Sequence, residues 1–299
     1  MARNFFAKLF GRHPAAEPRQ EFVSVLGAHG FYRLAYREWG DPANPRVLVC
    51  VHGLTRLGRD FDYLARALSA TYRVVCPDMP GRGESDWFEH KMDYQPPNYV
   101  TACATLIARL KVERVDWLGT SMGGIVGMML AATPKAPIAR LILNDVGPFI
   151  PKAALERIAT YVGADPRFAD PAAAEAAIRV LAASFGIKRD EDWRYMTEIS
   201  TKTAEDGKLR LHYDMGIALP FKAQPITDVA FWSVYDAIKV PALVIRGAES
   251  DLLPAKTAEE MTQRGPKAKL VTLAGCGHAP ALMEPDQIAV VRDWLANAA

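Results

Sequence analysis

The chain has 299 residues, of which 50% are hydrophobic and 23% charged, a balance typical of soluble globular proteins with a sizeable core. Its net charge is +2, and the first 20 residues carry +3 of it (Arg3, Lys8, Arg12 and Arg19 against Glu17), so the remainder is close to neutral at about −1. A body without excess positive charge argues against nucleic acid as a partner.

Residues 1–20 are predicted to form an amphipathic N-terminal segment and a linker. Phe5, Phe6, Leu9 and Phe10 fall on one helical face. The segment lacks the apolar run and cleavage site of a secretory signal and is too short to span a bilayer. We expect a short helix that packs on the body or on a partner chain. The alternative is weak contact of residues 1–12 with a membrane surface, without stable insertion.

The four cysteines predict a reducing environment. Cys50 and Cys76 fall in apparent strands and Cys103 in an apparent helix, and neither these three nor Cys276 belongs to a C-x-x-C pair. Buried free thiols explain this pattern better than disulfides or a metal site. We therefore expect a cytoplasmic protein whose cysteines do not bind a metal.

Apolar runs alternate with segments of helical spacing from residue 22 to residue 147. The run 47–51 is continuously apolar, which indicates a strand buried on both faces. Predicted strands cover residues 22–26, 31–37, 47–51, 72–76, 115–118 and 141–143, and predicted helices cover 60–68, 99–110 and 125–132. This alternation is typical of β-α-β crossovers and a mostly parallel sheet.

The alternation stops between residues 149 and 238, where helical segments (173–185 and 190–201) occur without a clear buried strand. It resumes with strands at 242–245 and 269–273 and helices at 255–263 and 285–299. We therefore predict an α/β fold with helices on both faces of the sheet. Its core comprises residues 21–148 and 239–299, and residues 149–238 form a helical cap over the carboxyl edge of the sheet, where ligand crevices lie.

The stretch Gly119-Thr-Ser-Met-Gly123 joins a predicted strand to a predicted helix. Strand, G-x-S-x-G and helix together are the sequence form of a nucleophile elbow. Such a turn lifts the Ser121 hydroxyl above the sheet and leaves the first N–H groups of the helix free to face a ligand. No Walker lysine or G-x-G-x-x-G accompanies it, so a phosphate cradle is disfavoured.

A nucleophilic serine needs a base and an acid that orients the base. His278 follows the last predicted strand, and Asp251 follows the preceding one, so the order Ser121, Asp251, His278 fits a serine hydrolase triad. Asp145, at the end of an earlier strand, could reach the same imidazole, and this alternative stays open. Glu249 could be a surface carboxylate. For His52 we expect a structural role.

Five loops together resemble the α/β-hydrolase superfamily: VHGLTR (51–56), DMPGRGES (78–85), GTSMGG (119–124), RGAESDLL (246–253) and GHAP (277–280). In particular they are similar to bacterial serine carboxylesterases with a helical cap, a group that includes enzymes acting on aliphatic polyesters. The resemblance covers residues 22–147 and 240–299. We expect the loop at Gly81 and Gly83 to support the site and Arg82 and Glu84 to perform no chemistry.

The resemblance implies a role for each site residue. Ser121 would be the nucleophile, His278 the base and Asp251 its buried partner. The backbone N–H groups of Leu54 and Met122 would form the oxyanion hole.

The expected activity is cofactor-free hydrolysis of small to medium apolar esters through an acyl-enzyme, with oligo- or polyesters implied by the resemblance. The alternatives are a carbon–carbon bond hydrolase or lactonase that uses the same triad, a perhydrolase or acyltransferase, and a binding module without catalysis. A serine at position 121 argues against epoxide hydrolases and haloalkane dehalogenases of this fold, which use aspartate.

Overall fold

An eight-stranded sheet forms the centre of residues 17–297, the part of the chain that this computed structural model describes. The N-terminal segment 1–12, for which we expect a packed helix or, alternatively, weak contact with a membrane surface, lies outside the described residues. In chain order, the strands are β1 (Arg19–Gly27), β2 (Gly30–Trp39), β3 (Val47–Val51), β4 (Arg73–Pro77), β5 (Val115–Thr120), β6 (Ile138–Asn144), β7 (Phe149–Ile150), β8 (Thr201–Thr203), β9 (Leu209–Leu211), β10 (Val229–Ala230), β11 (Ala242–Gly247) and β12 (Lys269–Leu273).

The strand order in this sheet is β1-β2-β4-β3-β5-β6-β11-β12. The pairs β1–β2 and β2–β4 are antiparallel, and the other neighbours are parallel. The predicted mostly parallel sheet is therefore confirmed. Because parallel strands end at one edge, the loops after β3, β5, β6, β11 and β12 meet there.

Helices cover both faces of the sheet, as predicted. The α-helices of residues 17–297 are α1 (Asp62–Leu68), α2 (Pro96–Arg109), α3 (Met122–Ala132), α4 (Lys152–Tyr161), α5 (Pro171–Leu181), α6 (Asp190–Ser200), α7 (Ala218–Lys222), α8 (Trp232–Ala237), α9 (Ala255–Met261) and α10 (Pro285–Asn297).

Strand β3 shows why both faces need cover. Val47, Val49 and Val51 pack into the core on one side, whereas Leu48 and Cys50 pack into the core on the other. Successive strand residues point to opposite faces, so a continuously apolar strand must be buried twice.

Residues 149–238 contribute no strand to the eight-stranded sheet. They supply α4 to α8 and two small sheets, β7 with β10 and β8 with β9. These short strands were not predicted, because two or three residues are too few to show a periodicity. We call residues 149–238 the inserted segment; the domain boundaries themselves stay a prediction.

All four cysteines are buried and free, as predicted. Among residues 17–297, no helix is both long and apolar enough to cross a bilayer.

Candidate active site

Ser121 occupies the sharp turn between β5 and α3. Its φ is +52° and its ψ is −116°, a conformation that is strained for a residue with a side chain. A Cβ on Gly119 would lie 2.2 Å from the backbone of Gly123, and a Cβ on Gly123 would lie 2.0 Å from the carbonyl oxygen of Val51. Because neither position has room for a side chain, the two glycines permit the predicted elbow.

His278 faces Ser121 from the loop after β12. Its Nε2 lies 3.0 Å from Ser121 Oγ, and its Nδ1 lies 2.8 Å from Asp145 Oδ2. A carboxylate can only accept, so Nδ1 carries the proton and Nε2 is free to accept the serine proton. The Ser184 hydroxyl, in the inserted segment, donates to the carbonyl oxygen of His278 at 2.6 Å and helps to fix this loop.

The predicted pairing of Asp251 with His278 is wrong: the acid beside the imidazole is Asp145, the open alternative. Asp251 forms a bidentate ion pair with Arg157 at 2.5 and 2.9 Å, and its side chain is 47% exposed. The Asp145 side chain is 0% exposed. The acid therefore follows β6 and precedes the inserted segment, although both acids lie in loops at the same edge of the sheet.

Local backbone geometry explains which carboxylate reaches the imidazole. Asp145 has a φ of +55°, and its carboxylate accepts hydrogen bonds from the Gly247 N–H at 2.8 Å and the Ser250 hydroxyl at 2.6 Å. In the loop after β11, Ser250 is thus the residue that faces Asp145. Asp251 is the next residue and points outward. Ser250 could not be identified from the sequence, because a single serine in a loop carries no spacing signal.

The Gly53–Leu54 peptide lies beside the elbow. A Cβ on Gly53 would be 3.6 Å from Ser121 Cβ, which places this peptide against the serine. The Gly53 carbonyl accepts from His52 Nδ1 at 2.7 Å and from the Arg56 N–H at 3.2 Å. In a trans peptide the N–H points opposite to the carbonyl, so the Leu54 N–H is directed away from these two donors. Met122 is the first residue of α3, where backbone N–H groups have no partner within the helix.

A cavity of about 460 Å³ opens in front of Ser121 and His278. Its wall is mostly apolar and combines core loops with the inserted segment. The residues from the inserted segment include Ile158, Tyr161, Phe168, Ile178, Phe185, Met196, Leu211 and Tyr213. Among the aromatic residues of the inserted segment, Tyr161, Phe168, Phe185 and Tyr213 line this cavity. Trp193, Tyr195 and Tyr235 belong to the cores on the two sides of the sheet.

His52 is buried and supports the loop after β3, in the structural role that we expected. Its Nδ1 donates to the Gly53 carbonyl at 2.7 Å, and its Nε2 accepts from the Met79 N–H at 2.9 Å. Burial lowers the pKa of His52 to about 3 from its usual 6.5. The ring is therefore neutral, which is the form that this acceptor role requires.

This depressed pKa predicts an acid-labile contribution to folding. The stabilisation from neutral His52 is complete above pH 6.5 and is lost as the pH falls toward 3, with a loss of about 2 kcal/mol by pH 5. Burial also raises the pKa of Asp78 to about 6. Protonation of this carboxyl therefore favours the folded state as the pH falls through the same range, which opposes the effect of His52. The contribution of His52 is therefore obtained by comparing wild type with His52→Asn, with the free energy of unfolding of both proteins measured at pH 7 and at pH 5.

We expect His52→Asn to be less stable at pH 7, because the buried Met79 N–H loses its acceptor, by about 1–3 kcal/mol. The difference in unfolding free energy between wild type and His52→Asn should narrow at pH 5, because only wild type loses the stabilisation from neutral His52. A gap that stays constant would show that His52 does not titrate with folding.

Known proteins share this architecture. The profile of the alpha/beta hydrolase family matches residues 48–291. A 3-hydroxybutyrate-oligomer hydrolase of Cupriavidus necator is 47% identical over 292 residues, which are 95% of this chain and 100% of that protein. An alpha/beta hydrolase structure from Novosphingobium aromaticivorans is 39% identical with a TM-score of 0.83, over 94% of this chain and 99% of that chain. A Rickettsia typhi structure is 33% identical with a TM-score of 0.88, over 95% and 100%. The protein described here therefore belongs to the alpha/beta hydrolase family.

Proposed function

We propose that this protein hydrolyses carboxylic esters through an acyl-enzyme on Ser121, with apolar small to medium esters and short aliphatic oligoesters as substrates. Ester hydrolysis is supported by the family and by the 47% identity to a 3-hydroxybutyrate-oligomer hydrolase. The observation that carries the mechanism is the continuous hydrogen-bond chain from Ser121 through His278 to Asp145.

Each member of the chain has one task. His278 Nε2 takes the hydroxyl proton as Ser121 Oγ attacks the ester carbonyl, and it then delivers that proton to the leaving alcohol. Water next loses a proton to His278 as it attacks the acyl-enzyme, and His278 returns that proton to Ser121 Oγ as the acid is released. The buried Asp145 carboxylate holds the Nδ1 proton in place and stabilises the imidazolium that forms in each half of the reaction.

The backbone N–H groups of Leu54 and Met122 are the donors that we assign to the tetrahedral oxyanion. The orientation of the Gly53–Leu54 peptide and the position of Met122 at the start of α3 support this assignment. Fixed donors of this kind need no reorganisation when charge develops on the carbonyl oxygen, and they typically account for a large part of the rate enhancement.

The cavity supports an apolar ester as substrate. Its volume of about 460 Å³ is within the range of sites that enclose small to medium molecules. At its opening lie Val180 and Leu181, which line the cavity and are nevertheless 78% and 45% exposed. An apolar rim that opens to solvent suits an aliphatic chain that extends beyond the cavity, as an oligoester would.

The charges in the cavity wall favour esters over carboxylated dienones, the substrates of carbon–carbon hydrolases. The arginines in the described wall are Arg56 and Arg157. Arg56 is paired with Asp60 at 2.6 and 2.8 Å, and Arg157 is paired with Asp251. Because both guanidinium groups are already neutralised, neither offers an unpaired cation to a substrate carboxylate.

A substrate panel tests this proposal. We expect p-nitrophenyl esters of short acyl chains and a linear 3-hydroxybutyrate trimer to be turned over with kcat/KM at least about 100-fold above a ring-cleavage dienone and a lactone, because the cavity matches uncharged chains. Products would be quantified by chromatography, with Ser121→Ala as the background control.

A dienone turned over as efficiently as the best ester would reassign the reaction. Rapid p-nitrophenyl ester turnover with an inert trimer would restrict the substrates to simple esters.

The four buried thiols support a reducing compartment, and we place the protein in the cytoplasm.

A further inference from the structure

The guanidinium of Arg82 lies against both residues assigned to the oxyanion hole. Its Nε donates to the Leu54 carbonyl at 2.8 Å, and its Nη2 lies 3.7 Å from the sulfur of Met122. The side chain is fully buried, with 0% exposure. One residue outside the triad therefore contacts Leu54 and Met122 at once.

The charge of Arg82 has no carboxylate partner within residues 17–297. Its Nη1 donates to the Pro80 carbonyl at 2.6 Å and to the Tyr99 hydroxyl at 2.9 Å, and its guanidinium carbon lies 5.7 Å and 5.2 Å from the ring centroids of Tyr94 and Tyr99. A buried cation that is satisfied only by neutral acceptors is costly for folding. It also projects its field farther than an ion pair would, since no opposite charge cancels it.

The inserted segment holds the backbone of Arg82 in place. Arg82 and Tyr213 form an isolated antiparallel bridge. On either side of it, the Gly83 N–H donates to the His212 carbonyl at 3.2 Å, and the Asp214 N–H donates to the Gly81 carbonyl at 2.7 Å. Because Tyr213 also lines the cavity, Arg82 links the wall of the inserted segment to the loop beside Ser121.

We propose that Arg82 is the positioning residue of the oxyanion hole. It fixes the Leu54–Thr55 peptide through the Leu54 carbonyl, while His52 and the Arg56 N–H fix the preceding Gly53–Leu54 peptide. With both peptides held, the Leu54 N–H keeps one direction, and the positive charge behind it favours an anion in front of it. This inference rests on the proposed function.

The lowered pKa of His52 supports an electrostatic effect of Arg82 on this loop. Burial is the main cause of the fall in the pKa of His52 to about 3, and the charge of Arg82 acts in the same direction.

The test uses Arg82→Lys, which keeps the positive charge but loses the planar guanidinium group that donates to several acceptors at once. For p-nitrophenyl butyrate we expect kcat to fall roughly 10- to 100-fold, while KM stays within about twofold. The inhibition constant of a boronic acid, which forms a tetrahedral adduct on serine, should weaken by a similar factor. If Arg82 served folding alone, Arg82→Lys would leave the affinity for the boronic acid unchanged.

Arg140→Lys is the matched control. Arg140 is also largely buried and donates to the Leu295 carbonyl and the Tyr72 hydroxyl, but unlike Arg82 it pairs with Asp116 and lies toward the start of β6, away from the carboxyl edge. The Arg140→Lys substitution should lower thermal stability without changing kcat or boronate affinity.

Wild-type kcat and boronate affinity in folded Arg82→Lys would overturn the proposal, and so would a loss of kcat with unchanged boronate affinity. If Arg82→Lys does not fold, Tyr99→Phe removes one acceptor of the guanidinium and should lower both quantities in parallel. Unchanged values in Tyr99→Phe would then contradict the role. A wild-type protein that neither hydrolyses esters nor binds the boronate would instead refute the proposed function itself.

Discussion

Ser121→Ala is expected to reduce ester turnover at least about 10³-fold, because in the described structure no other hydroxyl lies within hydrogen-bond distance of the His278 imidazole. The measurement is kcat on a p-nitrophenyl ester at saturation. Some rate above that in water should persist, since the Leu54 and Met122 N–H groups would still polarise the carbonyl.

Folding should change little in Ser121→Ala, because the substitution removes one oxygen from the cavity wall. Ser69→Ala is a suitable control: that hydroxyl donates to the Arg66 carbonyl at the end of α1. If Ser121→Ala kept more than about a tenth of wild-type turnover, the nucleophile would lie elsewhere.

Asp145→Asn is expected to lower kcat by about 10³- to 10⁴-fold with the fold retained. The amide cannot accept from the Gly247 N–H, the Ser250 hydroxyl and His278 together, as the carboxylate does. The imidazole would then lose the partner that selects its tautomer, and Nε2 could no longer be relied on to take the serine proton.

Asp251→Asn is the matched comparison. The exposed pair between Asp251 and Arg157 is screened by solvent and should contribute at most about 1 kcal/mol to the free energy of unfolding. Because the Asp251 carboxylate faces Arg157 and the imidazole contacts Asp145, kcat should stay within about threefold of wild type. If the loss were larger in Asp251→Asn than in Asp145→Asn, the acid assigned from the structure would be wrong.

The fold could be predicted because its signals are local and repeated. Eight apolar runs marked the strands of the large sheet, and their alternation with helices indicated parallel pairing. Ser121 and His278 could be located because each follows a strand at the carboxyl edge and lies among glycines that permit close approach. These features depend on few residues at short spacing.

The acid beside His278 could not be decided in the same way. Asp145 and Asp251 both follow sheet strands, and the choice between them depends on a positive φ at Asp145 and on the side to which Ser250 points. Such details arise from packing between loops that are about 100 residues apart in sequence. Chain order alone therefore favoured the wrong carboxylate.

The role inferred for Arg82 was hidden for a similar reason. In the sequence it is one arginine in a glycine-rich loop, which is most often a solvated side chain. Only the tertiary structure buries it, because the inserted segment pairs with its backbone and its side chain enters the space behind Leu54.

The most direct test of the central claim is to identify the residue that an organophosphonate modifies. Wild-type protein should be inactivated with one adduct per chain, and peptide mass spectrometry should place that adduct on Ser121. Ser121→Ala should take up none, and Asp145→Asn should react much more slowly because its imidazole is no longer held in place. An adduct on another residue, or continued ester turnover after Ser121 is fully modified, would contradict the proposed mechanism.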